Sequence, residues 1–135
     1  MKRPLILGLF ILLISIQFTQ ASTDTTTYQV DVNSSSLKWS LDVHYGSILL
    51  KNGTIKMVNS QPIAACVTVK MDSVHDQDIT YELMRKTLQN ILRSDVFFNT
   101  KKYPESYFVL DQVKPLQDGS YLVQGDLTIT GVSNC

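Results

Sequence analysis

The chain has 135 residues, of which 44% are hydrophobic, and its 12 Lys and Arg residues balance 12 Asp and Glu residues. This length is enough for one domain with one modest core. Two of the positive charges, Lys2 and Arg3, lie at the extreme N-terminus, so the net charge falls from 0 to −2 if that segment is removed. Proteins that bind nucleic acid normally carry a basic surplus, and the composition therefore argues against that class.

Residues 1–21 have the pattern of an export signal. A basic start is followed by an uncharged apolar run over residues 5–18 and by small residues that lead to a cleavage point after Ala21. The run is short for a helix that crosses a bilayer, and no Cys follows it closely, which argues against a lipoprotein anchor. We predict a cleaved signal peptide and a periplasmic or secreted protein. An uncleaved N-terminal anchor is the alternative.

Residues 22–27 form a Ser/Thr-rich segment that we interpret as a flexible leader. From Tyr28 onward, apolar and polar residues alternate, which predicts β-strands. The clearest case is residues 37–45, where Leu37, Trp39 and every second residue to Tyr45 share one face and His44 lies on the other. The pair Asn52-Gly53 predicts a hairpin turn between two further strands, and another strand is predicted over residues 62–71.

Residues 78–93 break the β pattern, because their apolar residues recur at helical spacing. Strands resume at residues 106–111 and 120–124 and continue through Leu127 and Ile129. The sequence therefore predicts a mainly β fold, a single antiparallel domain interrupted by one helix near 78–93. A barrel and a half-open sheet both fit this order of elements.

No set of residues in the chain indicates a catalytic or metal centre. His44 and His75 are the only histidines, and they are too far apart in sequence to suggest a zinc or copper site. The acidic segment 72–78 lacks the Gly and the terminal Glu of a calcium-binding loop. We interpret it as a solvated loop that caps the helix. No cofactor, no metal and no catalytic residue are predicted.

The apolar strand faces fit two interpretations, a solid core or the lining of a ligand cavity. A paired aromatic at the end of the helix, Phe97-Phe98, is expected to close one end of this interior. The candidate lining residues are Trp39, Leu41, Val43, Tyr45, Ile48, Leu50, Val67, Val69, Met71, Phe97, Phe98 and Phe108.

Two cysteines, Cys66 and Cys135, could pair in an exported protein. Strand alternation places Cys66 on the face opposite to that of Val67, whereas Cys135 shares its parity with Leu127 and Ile129. This argues against an intramolecular disulfide, although a chain end can leave strand geometry, and both states stay open.

Four blocks of sequence, in order, resemble the YceI-like proteins. They are residues 43–46 with 50–53, residues 67–74, residues 92–99 with Tyr103-Pro104 and Phe108, and residues 125–132. The third block is similar to the family's Leu-x-Ser-x-Asp-Phe-Phe and Tyr-Pro signature, and the fourth to its Gly-x-Leu-Thr-Ile-x-Gly-Val strand. The likeness runs over residues 28–135, which we predict to be one YceI-like domain.

The resemblance implies a lipocalin-like antiparallel β-barrel in an exported bacterial protein. It also implies non-catalytic binding of an isoprenoid or other amphiphilic lipid in an apolar tunnel. Family members continue beyond the Gly-Val step, whereas this sequence stops at Cys135. We therefore expect an incomplete barrel whose C-terminal strands are missing, with an open edge at which a homodimer could form.

Two other functions remain open at this point. The first is a structural or stress-related interaction module in which the apolar faces pack solidly. The second is an enzyme related to isoprenoid quinones, for which His44 is the one candidate base.

Overall fold

The computed structural model describes residues 22–134, so the predictions about the export signal and about Cys135 lie outside the described residues. The elements are β1 Thr25–Gln29, β2 Leu37–Leu41, β3 His44–Val58, β4 Gln61–Asp76, α1 Glu82–Arg93, β5 Glu105–Pro115, β6 Tyr121–Ile129 and β7 Val132–Asn134. Among residues 22–134, no helix combines the length and the apolar character needed to span a bilayer.

All strands belong to one antiparallel sheet with the order β1-β3-β4-β5-β6-β7, and β2 pairs with the first part of β3. Neither β1 nor β2 pairs with β7, so the sheet is not closed within the described residues. The predicted fold class is confirmed: the protein is mainly β, antiparallel, with one helix in the described part of the chain. This arrangement is an incomplete lipocalin-like barrel.

The strand predicted over residues 37–45 is wrong at its second half. It ends at Leu41, the chain reverses through Asp42 and Val43, and Leu41 pairs with His44. Asp42 takes a positive φ of 52°, which such two-residue turns require. The reversal shifts the alternation by one residue, so His44 shares the face of Leu41 and Tyr45 lies on the opposite face. Our prediction that His44 alternates with the Trp39 stripe is therefore wrong.

The predicted hairpin turn at Asn52-Gly53 is also wrong, because both residues lie inside the long strand β3. The pairing with β4 shifts between Leu50 and Asn52, which marks a β-bulge, and the turn lies at Asn59 and Ser60, with φ of 48° and 64°. Gly53 is needed for a close approach instead. A Cβ there would lie 2.9 Å from the Val30 side chain.

The acidic segment is not the solvated loop that we predicted. β4 continues to Asp76, which is completely buried, although Asp72 and His75 on the same strand are exposed. Neither Asp78 nor Thr80 caps the helix, because α1 begins at Glu82 after Tyr81, which makes no side-chain cap hydrogen bond.

Helix α1 covers the inner face of β4. Leu92 is buried in the core with Ile48, Val69, Met71 and Val74. The Arg93 guanidinium fastens the helix end by donating hydrogen bonds to the backbone oxygens of Asp72 and Val74, both at 2.9 Å. These five core residues are few for a domain of this size, since the sheet is not closed among the described residues and inward residues such as Leu41 and Leu127 stay exposed.

Candidate functional site

A cavity of about 550 Å³ lies between the concave face of the sheet and the end of helix α1. This volume falls within the range of roughly 300–1,000 Å³ that is typical of small-molecule sites. It is lined by Ser36, Leu37, Lys38, Trp39, Ser40, Leu41, Ile48, Leu50, Val67, Val69, Met71, Val74, Leu92, Phe97, Phe98, Ser106, Phe108, Leu127 and Ile129.

The interior of the cavity offers almost no hydrogen bonds to a ligand. Its buried lining is apolar apart from Ser106, and the Ser106 hydroxyl already lies 3.1 Å from the Met71 sulfur, to which it can donate. The Trp39 indole N–H is also engaged, since it donates to the Ser47 carbonyl at 3.1 Å. An occupant of this interior is therefore held by apolar contact.

The polar lining residues of the cavity are concentrated on one side. Ser36, Lys38 and Ser40 are exposed and lie on or next to the edge strand β2. Strand alternation places the Lys38 and Ser40 side chains on the outer face of β2, opposite Trp39. The cavity thus has an apolar interior beside an edge strand whose outer face is polar. Such a division suits a molecule with an apolar tail and a polar end.

The paired aromatics line the cavity at the end of α1. The backbone N–H of Phe98 donates to the Leu92 carbonyl at 3.0 Å, which turns the chain sharply after the helix. The rings of Phe97 and Phe98 then meet edge to face, with centroids 4.7 Å apart and planes at 83°. Both rings therefore lie against the cavity, and the expectation that they close one end of the interior stays a prediction.

Ten of the twelve residues predicted from the sequence line the cavity, and Val43 and Tyr45 do not. Val43 lies in the turn after β2 and is 73% exposed, and Tyr45 is 53% exposed on the outer face. Whether any of the ten contacts a ligand remains a prediction.

Several lining residues lie outside the twelve predicted site residues. Alternation on β6 already indicated that Leu127 and Ile129 face inward, and Leu92 is on the apolar face of the predicted helix. Val74 and Ser106 carried no such signal, because the first lies in the acidic segment and the second is polar.

A charged network lies outside the cavity, on β3 and β5. The Lys51 ammonium pairs with Glu105, and the Tyr107 hydroxyl donates to the same carboxylate at 2.9 Å. The Lys51 ammonium, followed by the Tyr107 hydroxyl, holds the pKa of Glu105 below its usual value of 4.5.

The predicted catalytic candidate, His44, does not line the cavity. Its Nδ1 lies 2.9 Å from Asp78 Oδ2, while Asp78 Oδ1 accepts a hydrogen bond from the Tyr45 N–H at 2.9 Å. The Tyr45 N–H, followed by the His44 ring, lowers the pKa of Asp78 to about 2. His44 is thus engaged in a polar cluster at one end of the sheet.

An open antiparallel sheet wrapped around an apolar cavity defines a lipocalin-like β protein. Residues 28–135 match the family model of the YceI-like domain, and the chain therefore belongs to the YceI-like family. A curated relative, the UPF0312 protein plu2095 of Photorhabdus laumondii, is 50% identical over 42 residues. That match covers 31% of this chain and spans only 21% of the relative's length.

Proposed function

We propose that this protein binds the apolar tail of an isoprenoid or another amphiphilic lipid, without covalent chemistry. The observation that carries the proposal is the cavity of about 550 Å³ with its apolar interior. Membership of the YceI-like family supports it, because that resemblance implies polyisoprenoid binding. The protein acts as a binder or carrier in this proposal, and the cavity performs no reaction.

The energetics of a tail in this cavity favour binding without specific polar contacts. Each methylene removed from water contributes about 0.8 kcal/mol. Rigid lining residues such as Val69 and Met71, both buried in the sheet, are already ordered before a ligand enters. Little side-chain entropy is then lost on binding.

The alternative of a solidly packed interaction module receives less support. A packed interior leaves few voids larger than a water molecule, whereas this interior contains space for a ligand of drug-like size.

Lipid extraction tests the proposal directly. Protein purified without detergent is extracted with organic solvent, and the extract is analysed by mass spectrometry for stoichiometric lipid. The delipidated protein is then titrated with farnesol and with a long-chain fatty acid, using tryptophan fluorescence because Trp39 lines the cavity. We expect co-purified lipid and a saturable change in the Trp39 fluorescence, and a lipid-free protein that ignores both ligands would refute the proposal.

We also propose that the protein is exported, on the support of the sequence pattern in residues 1–21. Intact-mass measurement of the mature protein should then give an N-terminus at Ser22. A retained Met1 in the fractionated periplasm or membrane would contradict the predicted cleavage.

A further inference from the structure

Side chains from two distant parts of the sequence, His44 and the pair Asp76 and Asp78, meet at one end of the sheet. His44 begins β3, Asp76 ends β4, and Asp78 lies in the link to α1. The pairing of Gly46 with Asp76 brings the two strand ends together. One potential metal-ligand atom from each of the three residues lies within 4.8 Å of the other two.

Asp76 is the unusual member of this cluster because it is completely buried. Its Oδ1 accepts a hydrogen bond from the Ile79 N–H at 2.9 Å, and its backbone N–H donates to the Gln89 side chain at 3.0 Å. Its Oδ2 is buried and has no hydrogen-bond partner among residues 22–134. A buried carboxylate with an unsatisfied oxygen is costly unless a proton or a cation meets it.

We propose that His44, Asp76 and Asp78 bind one divalent transition-metal ion of the Zn²⁺ or Mn²⁺ class. Two carboxylates neutralise the charge of such an ion, and the mixture of imidazole and carboxylate donors suits these metals better than Ca²⁺ or Mg²⁺. Three protein ligands leave at least one position for water.

The geometry needs only a small closure to hold the ion. Ligand atoms at about 2.0–2.2 Å from Zn²⁺ lie no more than about 4.4 Å apart. His44 and Asp78 are only partly buried, so their side chains are able to move toward the fixed Asp76. The ion would replace the 2.9 Å contact between His44 Nδ1 and Asp78 Oδ2.

The position of the site implies a structural effect of the ion. It would join the β2–β3 hairpin to the junction between β4 and α1, and Leu41, which pairs with His44, lines the cavity. Binding to the folded state alone raises the melting temperature. At a hundredfold excess over Kd, a domain of this size should gain on the order of 10 °C.

The test uses the purified protein after treatment with EDTA and dialysis. Zn²⁺ is titrated by calorimetry, and Co²⁺ is added as a spectroscopic probe whose visible absorption reports ligand binding. We expect one ion per chain. Since loss of a mere supporting contact already reduces metal affinity by about 10–100-fold, His44→Ala and Asp78→Asn should each weaken Zn²⁺ binding by at least roughly 100-fold.

Matched controls lie in the same segment. His75→Ala and Asp72→Asn remove a histidine and a carboxylate that are exposed on β4 and outside the cluster, so both should bind Zn²⁺ as the unaltered protein does. Circular dichroism checks that every variant is folded. The inference is overturned if the unaltered protein binds no ion, or if His44→Ala and His75→Ala bind Zn²⁺ equally.

Discussion

A substitution that places a carboxylate inside the cavity distinguishes a ligand-binding site from a packed core. Val67 on β4 is half-buried, lines the cavity and pairs with Phe108. Its counterpart, Val109 on β5, pairs with Cys66 on the other face of the sheet and is 48% exposed. The variants Val67→Asp and Val109→Asp thus make the same chemical change on two sides of the same pair of strands.

The expected loss of lipid affinity in Val67→Asp follows from the desolvation of the new carboxylate. In the empty cavity, water reaches residue 67, but an apolar tail would displace that water and offer no hydrogen bond in return. A neutral polar group loses about 1–3 kcal/mol on such desolvation in proteins, and an ionised carboxylate loses more. Lipid binding should therefore weaken by at least roughly 5–150-fold. Val109→Asp should change affinity by less than about twofold, since surface substitutions usually remain within about 0.5 kcal/mol.

Two measurements complete this comparison. Displacement of a fluorescent fatty-acid probe gives the affinity, and guanidinium unfolding gives the free energy of unfolding. We expect Val67→Asp to stay folded and lose lipid affinity, because its position is only half-buried in the empty protein. Equal affinity in the two variants would refute the cavity as the binding site. Unfolding of Val67→Asp alone would indicate a packed core.

Three further predictions concern the ligand, the helix and the acid response. Affinity for straight-chain alcohols should rise about fourfold per methylene until the cavity is full, and calorimetry that shows no dependence on length would contradict this. Leu92→Ala should lower the free energy of unfolding by about 2–5 kcal/mol. Leu83 is also on α1 but is 66% exposed, so Leu83→Ala should change this free energy by less than about 0.5 kcal/mol. Because the pKa of Glu105 is lowered in the folded state by Lys51 and then by Tyr107, its contribution to stability is present above pH 4.5 and is lost as the pH falls further. Urea unfolding measures the free energy of unfolding between pH 6 and pH 3. This free energy should fall less steeply with falling pH in Glu105→Gln than in the unaltered protein, and identical slopes in the two proteins would exclude the contribution of Glu105.

Local and periodic features of the sequence determined much of the fold. The alternation on either side of Trp39 and along Val67 to Met71 predicted strands, and the helical spacing before Arg93 predicted the helix. These signals are readable because side-chain periods of 2 and 3.6 residues follow directly from backbone geometry. The Phe97-Phe98 block also pointed correctly to the family.

Only the tertiary structure decided which face each side chain occupies. A turn at Asp42 shifts the alternation of β3, and an irregular stretch of β4 between Lys70 and His75, opposite Leu49 and Ser47, shifts that of β4; both depend on pairing with a neighbouring strand. For this reason Val43 and Tyr45 leave the predicted site while Val74 joins it. Whether the apolar faces form a packed core or a cavity likewise depends on the distance between the helix and the sheet, and the sequence pattern contains no information about that distance.

The same reason applies to the cluster of His44, Asp76 and Asp78. The sequence placed two of these residues in an apparently solvated acidic segment and the third on a distant strand. The extension of β4 to Asp76 and the pairing of β4 with β3 bring the three residues together. Because the Asp76 carboxylate is buried with an unsatisfied oxygen, it is costly unless a proton or a cation meets it. The sequence by itself determined the elements of this protein, and the register between its strands decided the sites.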